Sequence, residues 1–101
     1  MKIAFENKHN TLIAYPDGEL DECSSHSLRE ALDHEFRSER FNSFVMNMSR
    51  VSFMDSTGIG VLLGRYKLLR SKNIPFYVEA PTPVVDKILR MSGLYQVITR
   101  I

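Results

Sequence analysis

Asp55-Ser56-Thr57-Gly58 sets a carboxylate and two hydroxyls beside a glycine, and three chemistries use such a run. The first is a helix N-cap, for which Asp, Ser and Thr are preferred and after which small residues allow close packing. Three candidate caps in a row exceed what one helix needs. The second is catalysis. Asp-Thr-Gly or Asp-Ser-Gly marks aspartic proteases, but here Ser56 and Thr57 both separate Asp55 from Gly58, one residue too many. The residues that follow also have helical rather than strand period, so paired carboxylates would not meet. A serine nucleophile needs a base, and no histidine lies near Ser56 in sequence. Gly58-Ile59-Gly60 is followed by Leu63-Gly64 with no Gly-Lys-Ser/Thr, so it is not a phosphate-binding loop. The third is a hydroxyl that accepts a phosphoryl group.

The elements around the run decide what it is offered. Phe44 to Met48 reads as a buried strand, and Val61 to Leu69 as an amphipathic helix with Leu62, Leu63, Tyr66 and Leu69 on one side. Val61 and Leu68 fall roughly opposite that stripe, where an exposed one would serve as an apolar anchor. Arg65 and Lys67 read as solvated. Ser56 is thus expected where a strand hands over to a helix N-terminus, beside unpaired N–H groups and the positive end of a helix dipole.

Upstream, Lys2 to Glu6 and Thr11 to Tyr15 read as a hairpin around the polar turn Asn7 to Asn10, with Pro16 and Asp17-Gly18 ending the second strand. Ser24 or Ser25 is the expected cap of a helix reaching Phe36 or Arg37. Leu28, Ala31, Leu32 and Phe36 form its buried stripe, while Arg29, Glu30, Asp33 and Arg37 face water. Downstream, Ile74 to Glu79 reads as a strand. Thr82 caps a helix with Pro83 at its first position, Val84, Val85, Ile88, Leu89 and Met91 form its apolar side, and Gly93 stops it. Val97 to Thr99 is the expected last strand. The order β-β-α-β-α-β-α-β implies an α/β fold, a mostly parallel central sheet flanked by helices. In such a sheet the turns at Gly18–Asp21, Asp55–Gly58 and Ala80–Thr82 gather on one edge, where ligands bind. A functional surface is expected around Ser56, bordered by Glu19 and Asp21.

Composition narrows the classes. Residues 1–101 are expected to form one domain with a modest core. A formal net charge of +1, with scattered Lys and Arg, gives no nucleic-acid footprint. The lone Cys23 excludes an internal disulfide and argues against structural zinc, and nothing at ligand spacing surrounds His9, His26 or His34. With no long apolar run, a membrane span is not expected and the cytoplasm is the expected setting.

The segment from Phe53 to Lys67, together with Gly18-Glu19-Leu20-Asp21 and Met91-Ser92-Gly93-Leu94, resembles the bacterial anti-sigma factor antagonists, above all the sporulation members. These are built on a STAS domain. The resemblance implies a non-enzymatic regulator without cofactor. Its unphosphorylated form binds an anti-sigma factor that is also a serine kinase, and a PP2C-type phosphatase reverses the modification. It implies Ser56 as phosphoacceptor, Thr57 standing where relatives often carry a second serine. Glu19, Asp21, Asp55, Ser56, Thr57, Gly58 and Ile59 would meet the partner. The phosphoryl group would be held by backbone N–H groups without unfolding the domain, so its effect would fall on the interface. The alternative is a scaffold or nucleotide-sensing module without a phospho-switch. Some relatives continue beyond the last strand, so its edge here is expected to be less covered, which raises dimerisation.

Overall fold

The computed structural model describes residues 1–101. The chain opens on a hairpin of β1 (Lys2–Lys8) and β2 (Thr11–Leu20), closed by Lys8 opposite Thr11. The two loop residues, His9 (φ 53°) and Asn10 (φ 65°), are both left-handed, the conformation that matches the twist of paired strands in a two-residue turn.

Strand β2 does not stop at Pro16. It runs on to Leu20 because Pro16 sits where no ladder bond needs its missing N–H. β2 pairs in parallel with β3 (Ser43–Asn47) over Thr11–Ala14 and with β4 (Val51–Met54) from Gly18 onward. Pro16 falls in the gap between those partners. Gly18 (φ 122°) then takes the bulge at which the register shifts. Strand β4 is absent from the expected order. It has four residues and directly follows β3 after Met48–Arg50, so sequence pattern merges it with the loop.

The other elements are α1 (Glu22–Ser38), α2 (Ser56–Ser71), β5 (Phe76–Glu79), α3 (Pro83–Met91), a 3-10 turn at Leu94–Gln96 and β6 (Thr99–Arg100). Strand order is β1-β2-β3-β5-β6, with β4 extending the β3 side of β2, and every pair from β2 onward is parallel. Thr82 caps α3 with Pro83 at its start, and Gly93 adopts φ 80° after its end, as expected. Strand β5 begins at Phe76 rather than Ile74. The last strand lies at Thr99–Arg100 rather than Val97–Thr99, because the 3-10 turn takes up Leu94–Gln96.

Alternation along the strands sorts the sheet into two faces. Leu12, Ala14, Phe44, Met46, Phe76 and Val78 are buried and join one cluster with Leu28, Leu32 and Phe36 of α1, Leu62 and Leu69 of α2, and Val85 and Leu89 of α3. Phe44 stacks edge-on against both Phe36 and Phe76, with centroids 5.0 and 4.9 Å apart. On the opposite face Ile13, Tyr15, Tyr77 and Glu79 stay half-buried. Val84 and Met91, expected in the stripe of α3, are exposed.

Candidate functional site

β2 and β4 end side by side, with Leu20 opposite Met54, and each is followed by an aspartate that caps a helix. Asp21 Oδ1 accepts the Cys23 and Ser24 N–H groups at 3.0 and 3.1 Å, while Ser24 Oγ accepts the Asp21 N–H at 3.0 Å. That reciprocal box makes Asp21 the cap of α1, one turn before the expected Ser24 or Ser25. Ser25 is instead buried, its hydroxyl donating to the Asp21 carbonyl.

Asp55 repeats the device for α2. Its Oδ1 accepts the Thr57 and Gly58 N–H groups at 2.9 and 3.0 Å, and its Oδ2 accepts the Glu22 N–H at 3.2 Å. One carboxylate thus ties the start of α2 to the start of α1. The Asp55 N–H donates to the Leu20 carbonyl at 3.2 Å. A Cβ on Gly58 would stand 2.5 Å from that same oxygen, so only glycine lets α2 approach the end of β2 this closely. Capping and burial together start α2 at Ser56, five residues before the expected Val61, despite the low helix propensity of Gly58, Gly60 and Gly64.

The expected site residues therefore divide by position. Ser56 is the first residue of α2 and exposed, as are Thr57 and Glu19; Ile59 is half-buried against the core. Asp21 and Asp55 are engaged as caps. Gly58, expected at the partner surface, is buried. Of the further candidates, Val61 is buried and Leu68 packs against the core, so neither is an exposed anchor. Arg65 and Asp33, both expected to face water, form an ion pair between α2 and α1 (Nε to Oδ1 3.3 Å), and their side chains are 15% and 29% exposed.

Sequence reasoning assigned no role to Phe53. It lies opposite Glu19 in the β2–β4 register and is 43% exposed, an apolar ring beside the Ser56 edge. Its outward direction becomes legible only once Val51–Met54 is seen as a strand, with Phe53 out and Met54 in. Next to Thr57, a crevice of about 230 Å³ between α1 and α2 is lined by Glu22, Ser25, His26, Arg29, Thr57 and Val61. No three His, Cys, Asp or Glu side chains converge to hold a metal, and no helix is long and apolar enough to cross a membrane.

The STAS domain model matches residues 2–101. The anti-sigma F factor antagonist of Paenibacillus polymyxa is 35% identical over 97 residues, covering 96% of this chain and 83% of the relative. The unphosphorylated anti-sigma factor antagonist SpoIIAA superposes with a TM-score of 0.81 at 27% identity, covering 99% of this chain and 88% of that one. Phosphorylated SpoIIAA, a Bacillus cell fate determinant, superposes at 0.73 with 26% identity, covering 99% and 91%. A STAS fold whose capped strand–helix junction presents Ser56, and whose relatives match along nearly its whole length, places this chain in the STAS family, among the non-enzymatic anti-sigma factor antagonists.

Proposed function

We propose that this chain captures an anti-sigma factor that is also a serine kinase, and that phosphorylation of Ser56 by that kinase ends the capture. The kinase transfers the ATP γ-phosphoryl group to Ser56 Oγ, releasing ADP. A PP2C-type phosphatase hydrolyses the phosphoserine and restores the binding form. We place this switch in the cytoplasm and in sporulation, as the resemblance to the sporulation members of the family implies; the relatives themselves are anti-sigma F factor antagonists.

The observation that carries this reading is Ser56 at the first position of α2, exposed, with the capping work already done by Asp55. Removing or modifying its hydroxyl leaves both caps in place. The Thr57 and Gly58 N–H groups are donated to Asp55, so they are not free to cradle a phosphoryl group. About −1.5 to −2 added charges would stand beside the Asp55 carboxylate and turn outward. A partner seated on Ser56, Thr57, Glu19, Ile59 and Phe53 meets that charge directly, while Asp21, Asp55 and Gly58 hold the surface in shape. A penalty of ~3 kcal/mol lowers affinity more than a hundredfold, enough for release. SpoIIAA itself occurs in both phosphorylated and unphosphorylated forms.

The test pairs Ser56→Ala with the cognate kinase and ATP. Peptide-level mass spectrometry should find one phosphate on Ser56 of the natural chain and none on the variant, which still binds. A Ser56→Ala protein that still gains one phosphate moves the acceptor elsewhere, Thr57 first.

A further inference from the structure

Strand β1 is a free edge of the sheet, since β2 is its one strand partner; β6, paired only with β5, is another. The backbone groups it leaves outward follow from the register. The Gly18 N–H donates to the Arg50 carbonyl, on the β4 side of β2. Backbone direction alternates along a strand, so Pro16, Ala14 and Leu12 also aim away from β1. Their opposites Ile3, Phe5 and Asn7 therefore point their N–H and C=O groups out of the sheet. On the same edge Ile3 and Phe5 are half-buried, each packing on the core with one flank uncovered, while Lys2, Ala4 and Glu6 are exposed on the open face.

We infer that this edge pairs with β1 of a second copy of the chain, antiparallel, about a two-fold axis through Ala4. That register joins outward-facing Ile3 to outward-facing Phe5 of the second copy, so the ladder bonds form and the apolar flanks cover one another. It also sets Lys2 opposite Glu6 of the second copy, twice by symmetry. An axis one residue later, through Phe5, needs groups of the same parity but sets Lys2 against Lys8. An axis through Ile3 leaves Glu6 without a partner strand residue. Lysines on an edge normally deter pairing; here a single register turns Lys2 into a complementary contact. Two seven-residue strands bury little area, so the dimer is weak and concentration-dependent. Because the two β2 strands run oppositely in such a dimer, the Ser56 edges lie at opposite ends and both remain free.

Sedimentation equilibrium of the full chain tests this. From about 10 μM to about 1 mM a monomer–dimer equilibrium is expected. Lys2→Glu, and separately Glu6→Lys, should each weaken it about tenfold. An equimolar mixture of the two variants should regain the dimer, since every cross-strand pair is then of opposite sign. Circular dichroism checks that both variants fold, which matters for Glu6 because it also accepts the Tyr15 hydroxyl. A monomer at every concentration overturns the inference. So does a dimer indifferent to both reversals, or a mixture that fails to associate.

Discussion

Three glycines of α2 show how much a single residue's surroundings decide. Gly58, Gly60 and Gly64 all lie within α2, yet a Cβ meets nothing within 4 Å at Gly60 or Gly64, and meets the Leu20 carbonyl at 2.5 Å at Gly58. That oxygen also accepts the Asp55 N–H, so a shift to relieve the clash loosens the junction that presents Ser56. Gly58→Ala should therefore destabilise the fold by ~1–3 kcal/mol. Gly60→Ala and Gly64→Ala should stabilise it by ~0.5–1 kcal/mol through helix propensity and a less disordered unfolded chain. Urea unfolding of the three variants checks the reversal of sign. Equal effects at all three positions would mean that the approach of α2 to β2 is not held at Gly58.

At the scale of elements, the long amphipathic stretches were legible and the short or shielded ones were not. Leu28, Leu32 and Phe36 announce α1, and Thr82-Pro83 announces α3. The position of Ser56 at a strand-to-helix turn followed from the same patterns. Strand β4 did not, because four residues carry too little alternation. Nor did the second half of β2, whose Pro16 and Gly18 read as a stop until the gap between β3 and β4 is known. Asp21 caps α1 by accepting the Cys23 and Ser24 N–H groups, a role that its place in an acidic turn after Gly18 does not announce. Arg65 reads as solvated in sequence because its partner Asp33 lies on another helix. This ion pair bridges α1 and α2 behind the two caps by charge proximity, since Arg65 Nε and Asp33 Oδ1 lie 3.3 Å apart without hydrogen-bond alignment. Asp33→Ala leaves the largely buried Arg65 guanidinium uncompensated and should cost ~1–3 kcal/mol. Replacing Arg65 by Met as well should recover part of that loss. Denaturation of both singles and the double variant measures the coupling, and strict additivity would show that the two helices are held by packing alone.

The whole molecule is asymmetric: one sheet edge carries the Ser56 surface, while the last elements are gathered by Asp86. This carboxylate accepts the Tyr95 hydroxyl at 2.6 Å, Arg90 at 2.9 Å and Arg100 at 2.8 Å, joining α3 to the 3-10 turn and β6. The hydrogen bond from Tyr95, then that from Arg90 and the nearby charge of Arg100, hold the Asp86 carboxyl below its ordinary value. A depressed carboxylate contributes stability that is fully present above its unfolded value, about 4. That contribution is lost as pH falls through the lower folded value. Tyr95 has the opposite sign. Burial first, then its bond to Asp86, pushes it up to about 12, so its contribution holds below about 10 and fades as pH rises toward the folded value. Asp86→Asn should lower the thermal midpoint at pH 7 while flattening its decline below about pH 4. Tyr95→Phe should remove the latest phenolate step seen by ultraviolet absorbance in alkaline titration. Since neither residue touches the Ser56 edge, both variants should keep the phosphoryl transfer proposed at Ser56 at temperatures where they remain folded. An acid limb unchanged by Asp86→Asn would show that other carboxylates set the molecule's tolerance of low pH.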